Sequence, residues 1–398
     1  MPASSSVSPW RRIPRGVWTL GFVSLFMDLS SEMIHALLPL YLVGALGASA
    51  LVVGVIEGVA EATASIVKIF SGALSDCLGR RKWLAAAGYG LAALSKPVFP
   101  LATGIVTIML ARFVDRVGKG IRGAPRDALI ADLTPPGARG SAFGLRQSLD
   151  TVGAVLGPLA AIVFMAWLAD DFKAVLWIAV IPAFVSAALI VFAVHEPERP
   201  AKARAVKAPF SRAELSRLPA AYWMVVAVTA VFTLARFSEA FLLLRAQAAG
   251  LPLTLVPTVM VVMNIVYALS AWPAGVMSDG MGRYRLLTIG FALLIVADVV
   301  LALNGSVAVV MLGVALWGLH MGLTQGLLSA MVADCAPENL RGTAFGVFNL
   351  VGGIALLIAS IVAGALWEIT GPEGTFLAGA AFTAVALAAL PWARRRAV

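Results

Sequence analysis

The sequence predicts an all-α membrane protein of twelve transmembrane helices in two pseudo-symmetric six-helix bundles, and three observations predict it. First, 60% of its 398 residues are apolar and 13% are charged, with a mean hydropathy of +0.92, whereas soluble domains carry about a quarter charged residues. Second, the loop GALSDCLGRRK at 72–82 returns as GVMSDGMGRYR at 275–285. Gly72, Ser75, Asp76, Gly79 and Arg80 thus recur at one offset as Gly275, Ser278, Asp279, Gly282 and Arg283. A second echo repeats Asp132, Pro135, Arg139, Gly140, Phe143 and Gly144 as Asp334, Pro337, Arg341, Gly342, Phe345 and Gly346. A duplicated membrane chain points to transport. Third, the basic residues gather in the connectors of one side.

Taken in order, apolar runs long enough to span a bilayer occupy about 17–44, 51–74, 84–103, 105–131, 143–169 and 173–194. A second set follows at about 221–248, 252–277, 286–304, 306–333, 344–367 and 375–393. Arg11, Arg12 and Arg15 precede the first run as in a signal peptide. That run is as long as a spanning helix and ends in no small-residue cleavage site, so it is read as the first helix. The proline-rich, basic stretch around 196–219 is a linker between an amino-terminal bundle, 1–195, and a carboxy-terminal bundle, 220–398. Glycine and proline inside the runs do not argue against helix, because neighbouring helices re-satisfy the freed backbone groups. Of 30 lysines and arginines, nearly all that lie outside helices fall on the side of the two termini. Lys173 alone sits opposite, which places both termini in the cytoplasm. A formal charge of +9 without a basic, aromatic-interleaved patch gives no reason to expect nucleic acid as a partner. Cys77 and Cys335 fall in the same cytoplasmic connectors and imply no disulfide framework.

With the repeated loop, the six-plus-six plan and the order of helices in place, the chain resembles the major facilitator superfamily over nearly its whole length. Gly72, Asp76, Gly79, Arg80 and Arg81 are similar to that family's signature between helices two and three, and Asp279, Gly282 and Arg283 to its copy between helices eight and nine. Gly153-Ala154-Val155-Leu156-Gly157-Pro158 resembles the fifth-helix motif of the family's exporters. Arg112, Arg116, Gly118 and Gly120 resemble its fourth-helix pattern, displaced by about one residue. Asp28-Leu29-Ser30-Ser31-Glu32-Met33 resembles a prokaryotic drug-efflux-like branch. The resemblance implies the superfamily's two-bundle fold and alternating access.

Ionisable side chains at mid-bilayer cost at least about 2.5–3.5 kcal/mol each and mark functional sites by default. Asp28, Glu32 and His35 share one face of the first helix, with Asp28 roughly 16 Å in from the cytoplasmic end at about 1.5 Å per residue. Glu57, Glu61 and Lys68 share a face of the second. Arg112, Asp115, Lys119, Arg122 and Arg126 form a stripe on the fourth, flanked by Arg116 and Asp127, and Arg146 and Asp150 pair on the fifth. One reading joins these as a neutral scaffold of seven acids and seven bases. The other leaves carboxylates free to exchange protons, with Asp28 and Glu32 first, then Glu57, Glu61 and Asp115. Substrate contacts are expected at His35, Arg112, Arg116, Lys119, Arg122, Arg126, Asp127, Arg146 and Asp150, and in the second half at Arg236, Glu239, Asn264, His320 and Gln325. The second half is otherwise an apolar wall that Trp223, Phe232, Tyr267, Trp272 and Trp317 are placed to line.

The expected function is proton-coupled export of a small organic solute, anionic or zwitterionic, by a monomer in the inner membrane. The expected partners are the lipid bilayer, that solute and protons. Two alternatives remain: export of a metal or metal chelate through donors such as His35, His320, Met260, Met263 and Met321, and a receptor on the same scaffold. No enzyme motif, nucleotide-phosphate loop, cofactor or resident metal is read in the chain.

Overall fold

A backbone with no water to bond must satisfy its own donors and acceptors, and long apolar segments meet that demand as helices. The computed structural model describes residues 13–78, 80–135, 138–196, 215–303, 305–337 and 340–397, and no strand occurs among them. In the first half α1 is Arg15–Leu40, α2 Ala50–Leu78, α3 Arg81–Ser95, α4 Val98–Leu101, α5 Ile105–Leu133, α6 Arg139–Trp167 and α7 Phe172–Phe192. In the second α8 is Ala220–Ala235, α9 Ala240–Ala248, α10 Thr258–Met281, α11 Arg283–Ala302, α12 Val307–Cys335 and α13 Arg341–Ala397. Most of the linker, 197–214, lies outside the described residues.

Among the described residues nine helices are long and apolar enough to cross a membrane. The other places of a twelve-pass plan have physical explanations. Gly371, at φ 75°, reverses α13 between two passes, a backbone that a Cβ disfavours. The third pass is divided because Pro97 follows Lys96 and ends α3 one residue earlier. The fourth, α5, carries too many charges for a purely apolar window. The seventh, Ala220–Ala248, is one of the nine, although it breaks between α8 and α9, where Arg236 leaves helical geometry at φ −101°, ψ 59°.

Within each half the helices pack closely, and across the halves α2 runs along α13 while α6 runs along α10. The α2–α13 seam is tight at the end away from the termini. A Cβ at Gly54 would lie 2.1 Å from the Ser360 carbonyl oxygen, and one at Gly364 would lie 2.7 Å from that of Ala50. The Glu368 carboxylate accepts from the Leu51 backbone N–H at 2.9 Å, and Thr254 Oγ1 donates to Asp170 at 2.8 Å. The seam stays close as far as Gly353, whose Cβ would lie 2.9 Å from the Ser65 Cβ. Beyond it cavities lined by residues of both halves, among them Ser65 and Asn349, open between the bundles. The bundles therefore meet at one end and part toward the end that carries the termini.

The repeated loops contribute a matched pair of ties. Arg81, opening α3, donates to Asp132 at the end of α5 at 2.7 Å and to the Ala128 carbonyl at 3.1 Å. Arg283, opening α11, pairs with Asp334 at the end of α12. The second echo supplies the aspartate of each tie, while the arginine is the echoed Arg283 in the second half and Arg81, one place after the echoed Arg80, in the first. Lys82 Nζ likewise bonds the Val191 carbonyl at 2.8 Å, so Arg81 and Lys82 engage helix ends rather than being left to a charged lipid surface. Arg80 is exposed. Gly282 takes φ 81° and is the residue that lets α10 turn into α11. Gly72 is not a tight approach here: a Cβ there would meet Ala124 in ordinary contact at 3.5 Å. Gly79 and the side chains of Asp76 and Asp279 lie outside the described residues.

Candidate functional site

Between the bundles lies a cleft formed by adjoining cavities of about 380, 300 and 300 Å³. Asp28 and Glu32 stand on its wall because of how α6 packs on α1. Gly153 and Gly157, one turn apart, let the backbones approach until a Cβ at Gly157 would lie 2.7 Å from the Glu32 Cβ. One at Gly153 would lie 2.8 Å from the Leu25 carbonyl oxygen and 3.1 Å from the Asp28 Cβ. Pro158 follows within the same buried stretch of α6. Small residues permit this approach in a membrane, and here the approach sets the position of two carboxylates.

Behind that wall most of the charge is sealed and paired, as buried ions must be. Arg112 holds Glu57 at 2.8 Å, both 1% exposed, and Arg116 holds Glu61 at 3.3 Å. His35 bridges Glu32 at 3.4 Å and Glu57 at 3.6 Å. Arg122 faces Asp28 at 3.8 Å, Asp127 lies 3.1 Å from Arg126 and 3.2 Å from Arg146, and Arg146 also grips Asp150. Tyr89 braces the stripe, with the Arg122 guanidinium 4.8 Å above its ring and its hydroxyl 3.2 Å from Ser24, which accepts from Arg126 at 2.8 Å.

The pairing departs from the seven-by-seven scaffold in two places: Glu32 is met by His35 rather than by one of the seven bases, and Asp115 by a lysine outside them. Asp115 is held by Lys96 at 2.9 Å, and Lys96 is fully buried and also donates to Ser31 at 3.0 Å. Lys96, Ser24 and Tyr89 were not singled out from sequence, their only signal being polarity inside an apolar run, and Ser31 was read only as part of the motif at 28–33. Lys68 and Lys119 consequently have no carboxylate within 4.0 Å among the described residues, and both line the cavity of about 380 Å³.

Of the residues expected to touch substrate or protons, Asp28, Glu32, Glu61, Lys119, Arg122, Arg126, Arg146 and Asp150 reach the cleft, as do His35, Glu57 and Arg116. Asn264 lines it too and donates to the Ala154 carbonyl across the halves at 3.2 Å. Arg236, Glu239 and Gln325 face it, the last accepting from Tyr267 at 3.2 Å. Arg112 and Asp115 lie beneath the surface, each 1% exposed, and Asp127, half-buried, contacts Arg126 and Arg146 without lining the cavities. His320 is fully buried against Trp317 and Phe232, its two ring nitrogens without partners, so it is packed behind the wall. Tyr267 and Trp317 line the cleft as expected of them. Phe232 is instead stacked on Phe291 at 4.1 Å, Trp223 is 40% exposed, and the Trp272 side chain is outside the description.

The architecture now has a family-level counterpart, because the family model for the Major Facilitator Superfamily matches residues 20–266 and 240–398. The chain belongs to the major facilitator superfamily. An MFS-type transporter of Methanocaldococcus jannaschii is 33% identical over 379 residues, 93% of this chain and 92% of that one. The multidrug resistance protein MdtH of Photorhabdus laumondii is 33% identical over 163 residues, 41% of this chain and 39% of its own. The fold matches the nucleoside transporter NupG with a TM-score of 0.80 at 13% identity, covering 95% of this chain and all of that one. A bacterial homologue of the lysosomal transporter Spinster, in an inward-facing form, matches at 0.77 and 14% identity, covering 99% and 98%. As a superfamily member the protein is a multi-pass membrane transporter with a cleft between its halves.

Proposed function

We propose that this superfamily member exports a small organic solute by exchange with protons, its termini in the cytoplasm of a prokaryotic cell and its cleft drawn open to that side. One observation carries the coupling. Asp28, Glu32 and Glu61 are partly exposed to the cleft, at 26%, 22% and 31% of their side chains, while Glu57 and Asp115 behind them are sealed against arginine or lysine. Of the three, Glu61 is held by an arginine at 3.3 Å, whereas Asp28 has Arg122 at 3.8 Å and Glu32 only His35. A carboxylate that water reaches from one side at a time can take a proton on one face of the membrane and return it on the other. Asp28 is opposed by Arg122, so loss of its charge would free that guanidinium toward the solute. The export direction is supported by the fifth-helix motif seated against Asp28 and Glu32 and by the similarity to MdtH. The metal alternative gains no support from geometry: His35 meets Glu32 and Glu57, but through both ring nitrogens and with Arg112 on Glu57, and no group of three His, Cys, Asp or Glu is placed to hold an ion among the described residues.

The test needs a solute, which a thermal-shift screen of purified protein provides, because a ligand binding the native form raises its apparent stability. In proteoliposomes an imposed pH gradient should drive that solute uphill. Asp28→Asn and Glu32→Gln should each cut gradient-driven flux by about tenfold or more while solute exchange in the absence of a gradient persists. Full gradient-driven flux in both variants refutes the assignment, and binding without flux in the parent protein favours the receptor reading.

A further inference from the structure

The charges in the cleft that lack protein partners describe what a ligand must supply. Around the second cavity Glu57 and Glu61 are already taken by Arg112 and Arg116. Lys119 from the first half, and Arg236 and Glu239 from the second, have no opposite charge within 4.0 Å among the described residues, yet all three line this cavity. The Arg236 Nε is buried without a hydrogen-bond partner, and its guanidinium is held 5.9 Å over the Phe232 ring. Arg236 and Glu239 reach the cleft because the chain leaves helix between α8 and α9. The break is pinned where the Ser238 N–H donates to Ser360 Oγ at 3.2 Å.

We propose that the transported solute is a small hydrophilic zwitterion, an amino carboxylate or aminophosphonate, whose anionic group lies between Lys119 and Arg236 and whose ammonium group turns toward Glu239. The assignment rests on the reading of this cleft as the solute site. A guanidinium offers a planar fork to a carboxylate or phosphonate, and a lysine adds a second charge from another direction. A simple anion would leave Glu239 and Glu32 facing it, and a simple cation would face Lys119 and Arg236, so each monopole meets a repulsive group that a dipolar solute satisfies. A lipophilic drug is disfavoured because such ligands take pockets lined mainly by apolar and aromatic side chains. Cavities of about 300 and 380 Å³ suit a solute of amino-acid size. Because its three contacts come from both halves, Lys119 from the first and Arg236 and Glu239 from the second, such a solute would report the relative position of the bundles.

The experiment is a thermal-shift and titration series on the purified full chain. The probes are amino carboxylates and aminophosphonates, each with its deaminated acid and its esterified amine, alongside ethidium and tetraphenylphosphonium as lipophilic cations. Zwitterions should raise the melting temperature where their single-charge partners do not. Lys119→Gln, Arg236→Gln and Glu239→Gln should each weaken the binding of a responding zwitterion by about tenfold or more. Arg236→Lys, which keeps charge and loses the fork, controls for a variant that fails to fold and should retain intermediate affinity. The proposal is overturned if no zwitterion responds, if lipophilic cations or single-charge acids respond in their place, or if binding survives both Lys119→Gln and Arg236→Gln. A zwitterion that binds but is not moved in proteoliposomes counts against transport and leaves standing only its placement between Lys119, Arg236 and Glu239. Flux of some other solute class counts against the assignment and leaves transport standing.

Discussion

At the scale of single residues, the Lys96–Asp115 pair shows how a buried charge is read from its neighbours. Asp115 lies 2.9 Å from Lys96 and 4.0 Å from both Arg112 and Arg116, so it keeps positive company if Lys96 is lost. Lys96 has the Ser31 hydroxyl and Asp115 alone, so it is stranded if Asp115 is lost. Breaking a buried pair by removing one partner costs about 3–5 kcal/mol, chiefly through the charge left behind. Asp115→Asn should therefore destabilise the protein by about that much and Lys96→Met by less. The double variant Lys96→Met with Asp115→Leu should recover most of the loss, as read by thermal unfolding in detergent. Equal losses for the two single variants would show that the surrounding arginines do not act on Asp115 as this geometry requires. The acid stripes themselves were legible in the sequence, because a 3.6-residue period fixes which side chains share a face. Lys96 was not, since it stands alone in its run, and no periodicity within one helix states which face of another helix lies opposite.

At the scale of helices, α6 carries its own internal comparison. Gly157 sits where α6 presses on α1 beneath Glu32, whereas Gly144, earlier on the same helix, would meet nothing within 4 Å. An added methyl group at Gly157 must push the helices apart or distort the Glu32 backbone, at a typical overpacking cost of about 1–3 kcal/mol. At Gly144 the same methyl group meets open space and gains helix propensity, up to about 1 kcal/mol. Gly157→Ala should thus lower the melting temperature and impair pH-gradient-driven flux, and Gly144→Ala should leave both unchanged or raise the melting temperature. Matching effects at the two positions would remove the claim that this motif positions the carboxylates. The spacing of Gly153 and Gly157 was visible in the chain, and what it packs against was not. The break at Arg236 escaped for a related reason, since an apolar run continues through it and only the packed structure shows the backbone diverted there, whereas the break at Lys96 had a sign in Pro97 that the hydropathy of the run overrode. The contact between the two repeated segments escaped because repetition marks equivalent positions without saying that one segment touches the other.

For the whole molecule, duplication and hydropathy made the two-bundle plan legible, while the state of the cleft depended on contacts between residues hundreds of positions apart. Leu51 with Glu368, and Asp170 with Thr254, join the bundles at the end away from the termini, and Ser65 and Asn349 line the cavities that open between them. If transport alternates between this arrangement and one closed at the opposite end, these contacts must part in every cycle. Tying them should then hold the cleft open toward the termini and abolish its exposure to the other face. In a background with Cys77 and Cys335 changed to serine, Asp170→Cys and Thr254→Cys can be joined by a short bifunctional thiol reagent, with a reporter cysteine added afterwards by unmasking at Ser65. Before cross-linking, an impermeant maleimide should reach the reporter from both faces of oriented vesicles, because both states are visited. After cross-linking it should reach the reporter only from the side of the termini, at an undiminished rate. Continued labelling from the far face of the cross-linked protein would mean that the bundles do not separate at this end, and the solute would need another path through the chain.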